Sequence, residues 1–455
     1  MNHISMDTGV EVAVLNDFDI LFPAKEDLSL PYRQLFPLIT NAANTPFHAI
    51  LPHRIKENIN SLKQVLSHQL GAQFQVLYAM KTNRSAALVK AAAEEGIGID
   101  VSSLEEFQLA LTQGVNGRQC SLSGPFKSEA FLTLALRQEA RIVVDSDEEL
   151  LQIQCLASSI RKSARVLLRW NAEQPHTRFG MNKEKLKAAS LFADSLSNIE
   201  LEGAGFHLSG YCPLERGKAL SELLDIADAL RFGADIRWKA INIGGGYPLR
   251  YVEEATWRRF QNAIDKEDFA AGRMPKSFYP YWHPDTMETA VEKVLKEGGN
   301  AARLKANRIE LIVEPGRALT DGAGFTTFEV LGTKTTNAGD YCVIVKGLSF
   351  SFSETWFNSE FIVDPLHLPV SEESTDSFIP VRAYIAGQSC LEEDVLTYRK
   401  VPFSQMPKAG DLLVFNNTAG YLMDLLETRF HGLPIPNKVV LDNKEDSFLI
   451  EEVRG

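Results

Sequence analysis

Between about residues 74 and 317 the apolar positions of the chain follow two rhythms in alternation. Short runs rich in β-branched residues occur at 74–79, 97–101, 120–123, 141–145, 165–170, 202–207, 240–243 and 308–313. Each is too short for a helix and apolar enough for a strand buried on both faces. Between them, apolar residues recur at helical spacing, most clearly at 85–95, 104–112, 128–137, 148–161 and 215–231. Eight strands separated by such stretches predict an α/β fold in which a parallel sheet closes into a (β/α)8 TIM barrel.

The rhythm changes after Arg317. Strand-like alternation at 326–333, 341–347, 381–386 and 411–415, with helical character only around 422–427, predicts a β-rich second domain. The first 45 residues fit neither pattern and are expected to pack on it. The expected division is therefore a barrel over 46–318 and a β-rich domain built from 1–45 and 319–455. One stretch, 269–284, interrupts the barrel pattern: Phe278, Tyr279, Tyr281, Trp282 and His283 crowd among prolines, as in a loop insertion near the barrel mouth.

In such a barrel the reactive groups sit at the C-terminal ends of the strands. Those positions hold Lys81, Asp100, Arg178, His207, the run Gly244, Gly245 and Gly246, and then Glu314 and Arg317. Three glycines after a strand let backbone N–H groups approach an anion; a tight turn explains them equally well until Arg317 adds a guanidinium. Glu314 emerges from the apolar run Leu311, Ile312 and Val313 and suits a partner for a cationic ring nitrogen. Lys81 is an amine whose pKa a buried position lowers, readying it to attack an aldehyde. His207 taken alone reads as a core histidine, but at a strand end it offers a flat ring for stacking. A phosphate cradle, a ring-nitrogen partner and an amine on one rim together describe a site for pyridoxal 5′-phosphate (PLP).

Composition and charge narrow the partners. With 45% hydrophobic and 23% charged residues over 455 positions, the chain can bury a large core without staples. A net charge of −12 disfavours nucleic acid and anionic membrane, leaving a small molecule as the expected partner. No apolar run approaches the roughly 20 residues of a spanning helix, and the N-terminus lacks the pattern of an export signal. Cys120, Cys155, Cys212, Cys342 and Cys390 are irregularly spaced, with neither a zinc pattern nor a disulfide framework, so no metal and a reducing cytoplasmic setting are expected.

Eight segments in order then carry a family resemblance: Tyr78-Ala79-Met80-Lys81-Thr82-Asn83, Gly98-Ile99-Asp100-Val101-Ser102-Ser103 with Glu106 beyond, Arg178-Phe179-Gly180, the His207 strand, Gly244 to Gly246, Glu314 to Arg317, Gly387-Gln388-Ser389-Cys390, and Ala419-Gly420-Tyr421. The chain resembles the fold-type III PLP decarboxylases, the family of diaminopimelate, ornithine and arginine decarboxylases, which shares its barrel with alanine racemase. The resemblance covers nearly the whole chain. It implies PLP joined to Lys81, His207 stacked on the ring, and Glu314 at the pyridine nitrogen. It also implies Ser209, Gly244, Gly245, Gly246, Gly316, Arg317 and Tyr421 around the phosphate, with Asp100 and Glu106 in support near the lysine. A homodimer with shared sites follows by the same analogy, Cys390 reaching across the interface to protonate the product carbon.

The chain departs from the family pattern at two places. After the histidine the family has a glycine and then a serine, whereas here the order is Ser209-Gly210, which displaces the phosphate-binding hydroxyl by one residue. After the cysteine an acidic residue is usual, but Leu391 follows, and Glu392, Glu393 and Asp394 come later as candidate substrate contacts beside Arg178. The segments by which diaminopimelate decarboxylases grip the far carboxylate are not evident around 352–358. Racemases of this barrel place an arginine at the ring nitrogen, so Glu314 favours decarboxylation, the strong electron sink. The expected activity is decarboxylation of a diamino acid, nearest to that of diaminopimelate decarboxylase. A specialised decarboxylase of a siderophore or other secondary-metabolite intermediate, a racemase, and a non-catalytic PLP-binding or regulatory homologue are the alternatives. Retention of Lys81, Glu314 and Cys390 argues against the last.

Overall fold

The protein is described here by a computed structural model that covers residues 21–352, 360–370, 379–425, 427–442 and 447–451. Its first strand, β1 (Phe47–Ile50), falls inside the segment 46–318 assigned above to the barrel, yet it pairs in a different sheet. The barrel itself is made by β2 (Phe74–Ala79), β3 (Gly98–Val101), β4 (Ser121–Leu122), β5 (Arg141–Val144), β6 (Ala164–Arg169), β7 (Ile199–Gly205), β8 (Ala240–Asn242) and β9 (Glu310–Val313). They lie parallel and in chain order, and β9 closes on β2. Each consecutive strand pair is thus joined by a crossover, as the alternating pattern requires.

The two ends of the barrel differ in chemistry. At the N-terminal ends of the strands, Glu202 accepts from both Arg141 Nε and Arg165 Nε at 2.6 Å, while Arg141 also reaches Gln75 at 2.5 Å. These are mutually satisfied groups that plug the floor. Above them Leu77, Leu167, Ala240 and Ile312 form a small apolar cluster.

The helices begin where short polar residues can accept from their first free N–H groups: Ser103 from Glu106, Ser128 from Phe131, Ser146 from Glu149 and Asn182 from Lys185. A buried ion pair fixes one rim loop. Lys127 Nζ lies 3.1 Å from Glu149, both side chains being fully buried, and donates to the carbonyls of Val143 at 2.6 Å and Gly124 at 3.1 Å. The loop Gly124-Pro125-Phe126 is thereby held against the top of β5.

After β9 the chain builds the second sheet from β10 (Gly324–Thr335), β11 (Tyr341–Val345), β12 (Leu366–Leu368), β13 (Val381–Ala386), β14 (Val395–Phe403), β15 (Leu412–Asn416), β16 (Asn437–Leu441) and β17 (Phe448–Glu451). Among the described residues the sheet runs β14-β13-β11-β10-β1-β16-β17, with β15 pairing β10 and β12. Residues Leu28, Tyr32, Leu35, Phe36 and Ile39 pack on it against Phe47, Phe325, Val414 and Val439. The helix expected at 422–427 is a turn in its described part.

The aromatic insertion packs into a core shared by the two domains. Tyr279 and Tyr281 are buried in a cluster with Phe22, Tyr251, Trp257 and Phe260, which joins Phe328, Val343 and Phe361 of the second domain. Tyr279 and Tyr281 stack edge-on at 5.5 Å. The insertion therefore wedges barrel to sheet, a large apolar burial that rigid tyrosine rings supply at small entropic cost. No helix among the described residues is long and apolar enough to cross a membrane.

Candidate active site

A cavity of about 350 Å³ opens at the C-terminal rim, lined by Lys81, Asp100, Ser102, Ser123, Arg169, Arg178, His207, Asn242 and Glu314 among others. Lys81 stands in the single turn Met80–Thr82 that follows β2, its side chain accessible from the cavity. Desolvation by the barrel wall lowers its pKa, but Tyr421, Asp100 and Glu314 together outweigh this and raise the amine above its ordinary value. The expectation of a lowered amine is thus reversed, because the rim is crowded with groups that carry or can gain negative charge. Asp100, fully buried, is pushed in the opposite sense to an ordinary carboxylate: burial and then Glu314 raise its pKa, with Lys81 opposing.

Glu314 is oriented by a residue that the sequence reading passed over. Asn242, at the end of β8, donates from Nδ2 to Glu314 Oε1 at 2.5 Å and accepts from Gly244 N–H at 2.8 Å. One side chain therefore couples the strand-end carboxylate to the glycine turn. Its signal was its position, a polar residue at a barrel strand terminus. Arg169, at the end of β6, was missed for the same reason.

His207 is kept neutral. Burial, then the positive charges of Lys81, Arg169 and Arg216, hold its pKa well below the ordinary value. Nδ1 accepts from Gly245 N–H at 3.3 Å, which fixes the ring beside the glycine turn. A Cβ on Gly245 would lie 2.5 Å from the Glu314 carbonyl, and one on Gly244 2.8 Å from His207 Nδ1, so the close approach of three rim segments demands glycine. Gly316 has a packing reason of its own, since a Cβ there would strike Thr82 Oγ1 at 2.2 Å. The Arg317 guanidinium lies 4.6 Å from the Tyr279 ring centre and 4.9 Å from that of Tyr421, and donates to Tyr251 Oη at 2.9 Å. Tyr421 is tied to the lysine turn through its N–H, which donates to the Thr82 carbonyl at 2.8 Å.

The comparisons with known proteins bear directly on this rim. The family described as pyridoxal-dependent decarboxylase, pyridoxal binding domain, matches residues 53–321. The chain belongs to the pyridoxal-dependent decarboxylases. It is 37% identical to the uncharacterized protein y4yA of Sinorhizobium fredii, covering 92% of each chain, and 25% identical to a diaminopimelate decarboxylase of Bacillus methanolicus, covering 90% of each. The crystal structure of diaminopimelate decarboxylase from Helicobacter pylori complexed with L-lysine superposes with a TM-score of 0.72 at 19% identity, covering 91% of this chain and 95% of that one.

As a decarboxylase of this family the protein uses PLP, and its rim fits that group on physical grounds. Asp100 Oδ1 is buried with no hydrogen-bond partner, the glycine turn presents a backbone cradle, and a neutral imidazole offers its face. Of the residues named from sequence, Lys81, Asp100, His207, Glu314 and Arg178 line one cavity, with the glycine turn in contact with His207 and Glu314. Others lie apart from it. Ser209 is exposed and is not part of the lining; Glu392 and Glu393 are exposed on the second domain. Asp394 is buried and accepts from the N–H groups of Ser349 at 2.7 Å and Ser389 at 3.0 Å, which makes it the brace of its own loop. Cys390, on that loop, is exposed, with Sγ 3.1 Å from His431 Nε2. Residues 353–358 of the segment compared with the diaminopimelate grip lie outside the described residues.

Proposed function

We propose that this PLP decarboxylase acts on an amino acid whose far end carries a carboxylate, with diaminopimelate the first compound to test. The observation that carries this reading is the cationic wall of the cavity. Arg178 lines it with no ion-pair partner among the described residues, its guanidinium 4.8 Å from the Phe179 ring centre, and Arg169 lies 4.5 Å from the same ring. A planar guanidinium backed by an aromatic face is well suited to hold a carboxylate.

In this reading Lys81 Nζ would hold the cofactor through its aldehyde carbon. His207 would offer its face to the ring, and the Glu314 carboxylate, fixed by Asn242, would hold a proton at the pyridine nitrogen. PLP when bound supplies the sink for the electron pair left by departing CO2. Cys390 delivers the final proton, from a partner subunit, since it lies outside the cavity of its own chain. The protein is accordingly proposed to work as a homodimer.

The test is CO2 release from a panel of diaminopimelate, lysine, ornithine, arginine and conjugated diamino acids. Preference for compounds with a distal carboxylate, with a raised KM and little change in kcat for Arg178→Ala, supports the reading. Preference for lysine, ornithine or arginine overturns it. A second reading, a specialised enzyme of secondary metabolism, rests on the absence from the sequence around 352–358 of the segments that grip a far carboxylate, and activity on conjugated compounds alone reveals it.

A further inference from the structure

One buried cation on this rim is used by none of the chemistry above. Arg216 sits in the first turn of the helix Pro213–Ala234 and is only 2% exposed. Its Nη2 donates to the Leu208 carbonyl at 3.3 Å, and its Nε is buried with no hydrogen-bond partner. No carboxylate pairs with it among the described residues. The guanidinium also lies over the Tyr247 ring, whose centre is 5.4 Å away. A guanidinium withdrawn from water without an anion is costly, and neither a single carbonyl nor an aromatic face offsets that cost.

The position of this group says what anion would complete it. A Cβ built on Gly246 would lie 2.7 Å from Arg216 Nη2 and 2.9 Å from the Gly210 carbonyl, so the guanidinium lies against the glycine turn itself. Gly210 is where the family pattern has its phosphate-binding serine, and here it offers no hydroxyl. Ser209, the neighbouring hydroxyl, is exposed, whereas Arg216 is buried against the turn. The cradle has therefore lost a neutral donor on one side and holds an unmatched cation on the same side.

We propose that Arg216 is a phosphate-binding residue of this enzyme, its guanidinium taking the place of the missing serine hydroxyl beside Gly246. A bound phosphate dianion supplies the buried countercharge and a planar acceptor pair for the guanidinium. Desolvation lowers the Arg216 pKa in the absence of such an anion, in keeping with a site built around one. The inference rests on the PLP site but not on the choice of substrate, and its test uses no substrate.

Apoprotein of the wild type, Arg216→Met and Arg216→Lys is titrated with PLP and, separately, with pyridoxal, which has the same aldehyde and ring but no phosphate. Arg216→Met is expected to weaken PLP binding at least tenfold and pyridoxal binding less than twofold, with Arg216→Lys falling between the wild type and Arg216→Met for PLP. Unchanged PLP affinity, or equal losses for both aldehydes, overturns the proposal. If Arg216→Met does not fold, Arg216→Lys decides: a loss of threefold or more confined to PLP supports the role, and no selective loss sinks it. A failed substrate panel leaves this outcome untouched.

Discussion

Lys81 is held as an ammonium by the groups around it, and the chemistry must first remove that proton. Tyr421, Asp100 and Glu314 raise its pKa against the desolvation that lowers it. Condensation with an aldehyde consumes the neutral amine, whose fraction grows about tenfold per pH unit below the pKa. PLP uptake by the apoprotein should therefore accelerate with pH through about pH 7 to 9, followed by stopped-flow absorbance; a plateau near neutrality would contradict the raised amine. Glu314 is tested separately. Glu314→Gln preserves an acceptor for Asn242 but removes the charge, so kcat should fall by about 10²-fold or more while PLP affinity changes little. An equal loss in both would make Glu314 a structural residue. At this scale the sequence named the residues that end strands in recognisable motifs and missed Asn242, Arg169 and Arg216. Asn242 and Arg169 act through neighbours across the rim, and Arg216 sits inside a helix where a basic residue reads as solvated surface.

At the scale of elements, the barrel was legible because most of its strands contain a short apolar run buried on both faces, as in Leu77 to Ala79 or Leu311 to Val313. The second sheet was less so. β14 contains Arg399, Lys400 and Pro402, and its charges are satisfied by tertiary partners, Arg399 by Asp364 and Lys400 by Asp340. β1 could not be separated from the barrel by pattern, because its partners β10 and β16 lie hundreds of residues away. His48 on β1 shows what that placement costs in acid. Burial, with Lys438 nearby, holds its imidazole at about 3, and its Nδ1 lies 2.9 Å from Thr326 Oγ1. The folded protein keeps His48 neutral, whereas the unfolded chain takes up a proton below the ordinary value of 6.5. The stability difference is thus fully present above that pH and is lost toward pH 3, at about 1.4 kcal/mol per unit. His48→Gln should flatten the fall in melting temperature between pH 7 and 5; an unchanged slope would place the acid sensitivity elsewhere.

Taken as a whole molecule, the chain divides one site between distant parts. The barrel supplies Lys81, His207 and Glu314, and the second domain supplies Tyr421 against the lysine turn, with the aromatic wedge holding the two together. Cys390 is left outside, on a loop braced by Asp394 and exposed beside His431. The proposed role for this thiol has a second copy present it to the cavity. A two-fold dimer then has two composite sites, each taking Lys81 from one subunit and Cys390 from the other. When Lys81→Ala and Cys390→Ala proteins are mixed and allowed to exchange, half of the dimers are mixed, and each contains one site with both residues intact. Activity should rise from near zero for either parent to about a quarter of the wild-type value under random exchange. Activity that stays at the parental level after exchange is confirmed would mean that each chain completes its own site. Cys390 would then act within its own subunit, and its loop would have to move to reach the cavity.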